Sequence, residues 1–126
     1  MPHARIVSNA DTAEYYFEER CHIIEWWNSS DDPQASIARA RVEPGVTTRL
    51  HRLRDTSERY VGLEGRGRVE VGVLPPSIVG PGDVVVIPPG VAQRIANFGD
   101  SDLLFLAICT PRFEPANYED IEPEIA

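Results

Sequence analysis

The feature that most constrains the fold is the regular alternation of short apolar segments with turns that contain proline or glycine. From residue 36 to residue 110 each apolar segment is brief, and most of the eleven prolines and nine glycines stand between these segments. Short segments at this spacing are typical of antiparallel strands in a β-sandwich or a small barrel. No long stretch with helical periodicity interrupts them, so a parallel α/β sheet is disfavoured. The sequence therefore predicts an all-β protein.

The predicted strands follow from the positions of the turn residues. In chain order they are His22–Trp27, Ser36–Val42, Thr47–Leu53, Arg59–Leu63, Arg68–Val73, Val84–Ile87, Ala92–Ala96 and Leu103–Thr110. Ahead of them, Asp11 to Glu19 is predicted to form one or two helical turns, with Ser8 or Asp11 as the cap.

The length of 126 residues predicts one domain. We expect a barrel core over about residues 36–110, preceded by an N-terminal extension (1–35) and followed by an acidic C-terminal tail (111–126). Phe113 and Tyr118 are expected to anchor the first half of the tail, and its last residues are expected to be mobile.

Charge and composition exclude several classes of function. A net charge of −8 opposes binding to nucleic acid. No apolar run approaches the ~20 residues of a membrane span, and the first residues lack the hydrophobic core of a signal peptide, so we expect a cytoplasmic protein with no membrane partner. Cys21 and Cys109 are expected to be buried thiols. Because lysine is absent, arginine is the remaining strong anion binder.

Two segments carry polar residues at a distinctive spacing. The first contains Gly45, His51, Glu58 and Gly65, and the second contains Gly82, Pro88, Gly90 and Asn97. This pattern resembles the paired motifs of the cupin superfamily, over roughly residues 36–110. Leu53 stands where the first motif has a second histidine, and Gln93 stands where the second motif has its histidine. The resemblance implies a double-stranded β-helix, or jelly-roll barrel.

The resemblance also implies a metal site inside the barrel, and two alternatives remain open. In the first, His51, Glu58 and Gln93 hold one divalent transition metal ion such as Mn, Fe, Ni or Zn, although an amide oxygen is a weak donor for such ions. In the second, the same three side chains form a buried hydrogen-bonded network without a metal.

Other residues are candidates for substrate binding and catalysis. Alternate residues of a strand share a face, so Arg49 is expected to point the same way as His51 and to bind an anionic group. Arg39 and Arg41 are candidates for the same anion site, with the outer surface as the alternative. The candidate catalytic residues are Glu58, as a general base, and Tyr60, with a core role as its alternative.

Three functions follow, and the sequence leaves them open. The first is a metal-dependent small-molecule enzyme, of isomerase, dioxygenase or lyase type, acting on a small anionic or oxygenated substrate. The second is a non-catalytic cupin that binds or senses a small ligand without a metal. The third is a catalytically silent scaffold. Trp26, Trp27 and the apolar Leu103–Ile108 segment additionally predict a homodimer.

Overall fold

The computed structural model describes residues 3–123, which form two antiparallel sheets packed face to face. A short 3-10 helix, Pro115–Asn117, precedes the last strand. The strands are β1 Tyr15–Phe17, β2 Cys21–Trp27, β3 Ser36–Val42, β4 His51–Leu53, β5 Ser57–Glu64, β6 Gly67–Val71, β7 Ser77–Val79, β8 Val84–Ile87, β9 Gln93–Ala96, β10 Leu103–Thr110 and β11 Tyr118–Asp120.

The strand order shows that distant parts of the chain complete each sheet. One sheet has the order β1-β2-β3-β10-β5-β8 and the other has the order β11-β4-β9-β6-β7. The N-terminal extension supplies β1 and β2 at one edge of the first sheet. The C-terminal tail supplies β11, which pairs with β4 along the edge of the second sheet. This arrangement confirms the all-β jelly-roll architecture.

The observed strands differ from the predicted ones mainly in the two terminal segments. The helical turns predicted between Asp11 and Glu19 are absent, and Tyr15–Phe17 instead pairs with β2 through the register Tyr16↔His22. The predicted strand Thr47–Leu53 is regular only from His51 onward. Strand β11 was not expected from the sequence, because an acidic three-residue segment has no strand periodicity of its own.

The hydrophobic core lies between the sheets and leaves room at one end. Ala40, Val42 and Phe105 of the first sheet are buried in the same apolar cluster as Val69 and Ile95 of the second. Both cysteines are buried free thiols, as predicted. Within residues 3–123 no helix is long and apolar enough to cross a bilayer. On the outer face of β8, Val84 and Val86 are exposed, and the homodimer stays a prediction.

The first glycine of each motif stands in a turn whose backbone conformation favours glycine. Gly45 and Gly82 each follow a proline and adopt φ values of +80° and +85°, a conformation that glycine tolerates far better than other residues. Asn97, the last residue of the second motif, is buried and donates from Nδ2 to the carbonyl oxygens of Val42 and Ser101, at 2.9 and 2.8 Å. The motif residues thus fix the ends of strands around the core.

A glycine-to-alanine pair tests the close approach between β5 and the turn before β8. A Cβ added at Gly62 would lie 2.1 Å from the carbonyl oxygen of Gly80, whereas one added at Gly80 would be no closer than 3.7 Å to any neighbouring atom. We expect Gly62→Ala to lower the free energy of unfolding by at least about 1–3 kcal/mol, because the backbone must shift to make room for the added Cβ. Gly80→Ala is the matched control and should change it by less than about 1 kcal/mol. Equal urea midpoints for the two variants would contradict this packing.

Candidate functional site

A cavity of about 60 Å³ opens between the two sheets. Its ionisable lining consists of two glutamates and a histidine from the interior together with Glu25, which is exposed at the rim. Most of the remaining wall is apolar or aromatic. The lining residues are Tyr15, Phe17, Glu19, Ile23, Glu25, Asn28, Ser36, Ile37, Ala38, Ala40, His51, Leu53, Glu58, Tyr60, Phe105, Ala107, Cys109, Phe113 and Tyr118.

His51 is held in one orientation by contacts on both ring nitrogens. The side chain is buried, and Nδ1 lies 2.7 Å from the carbonyl oxygen of Arg49. On the other side, Nε2 lies 3.3 Å from Oε2 of Glu19. The ring of Tyr118 stacks on the imidazole at a centroid distance of 5.0 Å. Both ring nitrogens therefore face oxygen atoms of the protein.

Glu58 is the most perturbed acid among the described residues. Its side chain is only 9% exposed, and Oε1 has no hydrogen-bond partner. The thiol of Cys109 donates to the other oxygen, Oε2, over 3.8 Å. Burial, and secondly the negative charge of Glu19, raise the pKa of Glu58 to about 8. At neutral pH this carboxyl group therefore carries a proton.

Gln93 and Tyr60 form a buried hydrogen bond behind Glu58. Gln93 is opposite His51 in the register between β4 and β9 and is fully buried. Its Oε1 accepts a hydrogen bond from the hydroxyl group of Tyr60. Its Nε2 has no hydrogen-bond partner of good geometry, although its proximity to Glu58 partly offsets the raised pKa there. Burial raises the pKa of Tyr60 well above its usual value, so this hydroxyl remains protonated.

The three arginines expected near the site lie elsewhere. The guanidinium group of Arg49 pairs with Asp120 at 2.5 Å and with Glu122 at 3.1 Å, because the chain is not a regular strand before His51 and the alternation of faces does not extend back to residue 49. Arg39 and Arg41 both pair with Glu14, at 3.0 and 2.7 Å.

These ion pairs argue against the predicted anion site at the cavity. None of the three arginines is among the residues that line the cavity, and each has a carboxylate partner. The structure therefore brings His51, Glu58 and Tyr60 together at one cavity, with Gln93 directly behind them. It does not bring the arginines to that cavity.

Glu19 and Tyr118 are site residues that the sequence did not reveal. Glu19 lies in the turn between β1 and β2, where Arg20 adopts a φ of +70°, uncommon for a bulky side chain. The backbone carbonyl oxygen of Glu19 accepts from the amide of Arg49, and Oε1 accepts from the thiol of Cys21 at 2.9 Å. The turn thus aims the Glu19 carboxylate at His51. No local pattern marks either residue, because both reach the site through long-range strand pairing.

The donor set does not fit a divalent transition metal ion. Leu53 is buried where the resemblance calls for a histidine, and the amide oxygen of Gln93 is engaged by Tyr60. Both nitrogens of His51 already have partners in Arg49 and Glu19. Across residues 3–123, no three histidine, cysteine, aspartate or glutamate side chains converge closely enough to hold a metal ion. The retained histidine and glutamate thus have protein partners in Arg49, Glu19 and Cys109.

The pKa of Glu58 predicts how stability depends on pH. Because the folded-state pKa of about 8 exceeds the ordinary value of 4.5, the folded state retains a proton that the unfolded state releases. The free energy of unfolding therefore falls as pH rises from 4.5 to 8. In Glu58→Gln this loss should be absent, so the variant should gain stability relative to the parent by a few kcal/mol between pH 5 and pH 8.5. Urea unfolding at several pH values measures this difference, and parallel curves would contradict the assignment.

Comparison with curated proteins identifies two relatives. One is an uncharacterized protein of Methanocaldococcus jannaschii, 36% identical over 87 residues, which are 69% of this chain and 66% of that protein. The other is a glucose-6-phosphate isomerase of Pyrococcus horikoshii, 39% identical over 66 residues, which are 47% of this chain and 33% of that enzyme. The chain thus spans just under two thirds of the first relative and one third of the second.

Comparison with solved structures supports the same architecture. KdgF from a Halomonas species superposes with a TM-score of 0.78 at 15% identity, covering 90% of this chain and 99% of KdgF. At that identity the likeness concerns the fold alone. The family model of the cupin domain matches residues 38–109, more than half of the chain. On this match, together with the two-sheet barrel and its spaced motif residues, the chain belongs to the cupin domain family.

Proposed function

We propose that this cupin is a small-molecule enzyme that catalyses proton transfer, of isomerase or lyase type, without a bound metal. The observation that carries the proposal is the presence of two different proton-holding groups at one cavity. A buried Glu58 carboxyl with an unpartnered oxygen faces the same space as the Glu19–His51 pair. Pairs of titratable groups whose environments differ in this way are the arrangement that acid–base catalysis needs.

The two groups have complementary roles in such a reaction. Glu58 is protonated at neutral pH and donates its proton to a substrate oxygen. Oε2 of Glu19 lies 3.3 Å from Nε2 of His51, and the Glu19 carboxylate accepts the proton that leaves a substrate carbon. In an isomerisation, Glu19 returns its proton to the neighbouring substrate carbon and Glu58 recovers a proton from the second substrate oxygen, so both groups regain their starting states. In a dehydration, the protonated hydroxyl group leaves as water, Glu19 then releases its proton to solvent, and Glu58 takes one up from solvent. His51 stabilises the negative charge of Glu19 between these steps.

The cavity limits the size of the substrate. One water molecule requires roughly 10–15 Å³ of such space, so about 60 Å³ accommodates roughly four to six water-sized groups. The walls around the ionisable groups are apolar, including Ile23, Ala40 and Phe105. Such walls exclude bulk water and strengthen electrostatic interactions inside the cavity.

The relatives support the reaction class and not a particular substrate. The Pyrococcus horikoshii relative is a glucose-6-phosphate isomerase, and proton transfer through an enediol is one of the two routes by which a sugar isomerises. Its phosphorylated substrate is not carried over to this chain, because no arginine among residues 3–123 lines the cavity and the match covers only a third of that enzyme. The earlier expectation of a metal-dependent enzyme has no support from the donor set described above.

Hydrogen exchange tests the proposal directly. We would incubate the protein in D₂O with a panel of carbonyl and hydroxyl compounds of four to six heavy atoms and follow the loss of C–H signals by proton NMR. We expect at least one compound to exchange ~100-fold or more above the buffer rate, the usual contribution of positioned acids and bases.

Two variants and a control assign that exchange to the cavity. Glu58→Gln and Glu19→Gln should each reduce the exchange rate about 100-fold. Glu70→Gln makes the same chemical change at a residue that pairs with Arg94 away from the cavity, and it should retain the rate. Full exchange in both cavity variants would refute the proposal. Binding of panel compounds without exchange would favour a ligand-binding role instead.

A further inference from the structure

The cavity wall is unusually rich in aromatic side chains. Six of the lining residues are aromatic: Tyr15, Phe17, Tyr60, Phe105, Phe113 and Tyr118. They form packed groups on two sides of the ionisable residues. Phe17 meets Tyr118 edge to face at 5.2 Å, and Tyr60 lies 4.6 Å from Phe105. The faces of such rings carry a negative potential that attracts cations.

The charged residues at the cavity also favour a cation over an anion. The carboxylates of Glu19 and Glu25 line the cavity beside the protonated carboxyl group of Glu58, whereas His51 is the only basic residue that does so within residues 3–123. An anion would find no guanidinium partner there. A cation would find the carboxylate oxygens of Glu19 and Glu25 in a wall that is otherwise largely apolar and aromatic.

An unpartnered buried atom indicates that the polar wall is incomplete. Glu58 is more than nine-tenths buried and lines the cavity, yet its Oε1 has no hydrogen-bond partner. Buried carboxyl oxygens are seldom left without a partner. A ligand N–H group that donates to this oxygen would complete the set.

From these three observations we infer that the cavity binds a small organic cation, such as an amine or an ammonium compound of about five heavy atoms. The inference rests on the proposed function, for which it names the substrate class. Carboxylates together with an aromatic cage are the arrangement by which proteins recognise ammonium groups. A positive charge next to the reacting carbon would also stabilise the negative charge that develops when Glu19 removes a proton.

Three probes of equal size and different charge test the inference. They are tetramethylammonium, tert-butyl alcohol and methylphosphonate, each with about five heavy atoms, the size the cavity accommodates. Binding is measured from the NMR shifts of the side-chain signals of His51 and Tyr118 at constant ionic strength. We expect tetramethylammonium to bind at least tenfold more tightly than tert-butyl alcohol, and methylphosphonate to bind most weakly.

A charge-removing variant with its control locates the cation. Glu19→Gln should weaken tetramethylammonium binding about tenfold and leave tert-butyl alcohol unchanged, whereas Glu70→Gln should alter neither. Equal or tighter binding of tert-butyl alcohol or methylphosphonate would overturn the cation inference and leave the proposed pocket intact. If no probe shifts the His51 and Tyr118 signals, the cation inference fails. If, in addition, no compound of the panel exchanges hydrogen in D₂O, the proposed function fails as well.

Discussion

The free-energy cost of burying an ionised carboxylate determines the properties of the site inside this barrel. Glu58 lies inside the barrel with one oxygen unpartnered and the other near a weak thiol donor, and an ionised carboxylate in such surroundings is strongly disfavoured. Glu58 avoids this cost by remaining protonated, because its pKa is raised to about 8. The carboxylate of Glu19 is stabilised in a different way, because Nε2 of His51 lies 3.3 Å from its Oε2. The Glu19 and Glu58 carboxyl groups of the site therefore lie in unlike environments.

The site depends on chain segments outside the region matched by the family model. Residues 38–109 supply the barrel, with His51, Glu58 and Gln93 at the spacing of the cupin motifs. Glu19 comes from the turn ahead of β2, and Tyr118 comes from β11 in the C-terminal tail. Arg49 secures that tail through Asp120 and Glu122. The extensions thus add side chains to a cavity whose barrel comes from the matched region.

The fold could be predicted from the sequence because its determinants are local. Pro44-Gly45 and Pro81-Gly82 mark turns by conformation alone, and Ser36–Val42, Val84–Ile87 and Leu103–Thr110 have their predicted bounds. The candidate site was only partly predictable. Glu19 and Tyr118 reach His51 through strand pairing between distant segments, which leaves no periodic signal. Arg49 pointed elsewhere because face alternation requires a regular strand, and β4 begins only at His51.

We infer that His51 and Glu58, the retained histidine and glutamate of the cupin motifs, do not hold a metal ion. The decisive measurement is elemental analysis of protein purified without chelator or histidine tag. We expect less than about a tenth of an equivalent of Mn, Fe, Ni or Zn per chain, even after incubation with each ion, because Leu53 and Gln93 remove half of the donor set. A near-stoichiometric metal content that is lost in His51→Ala would contradict it.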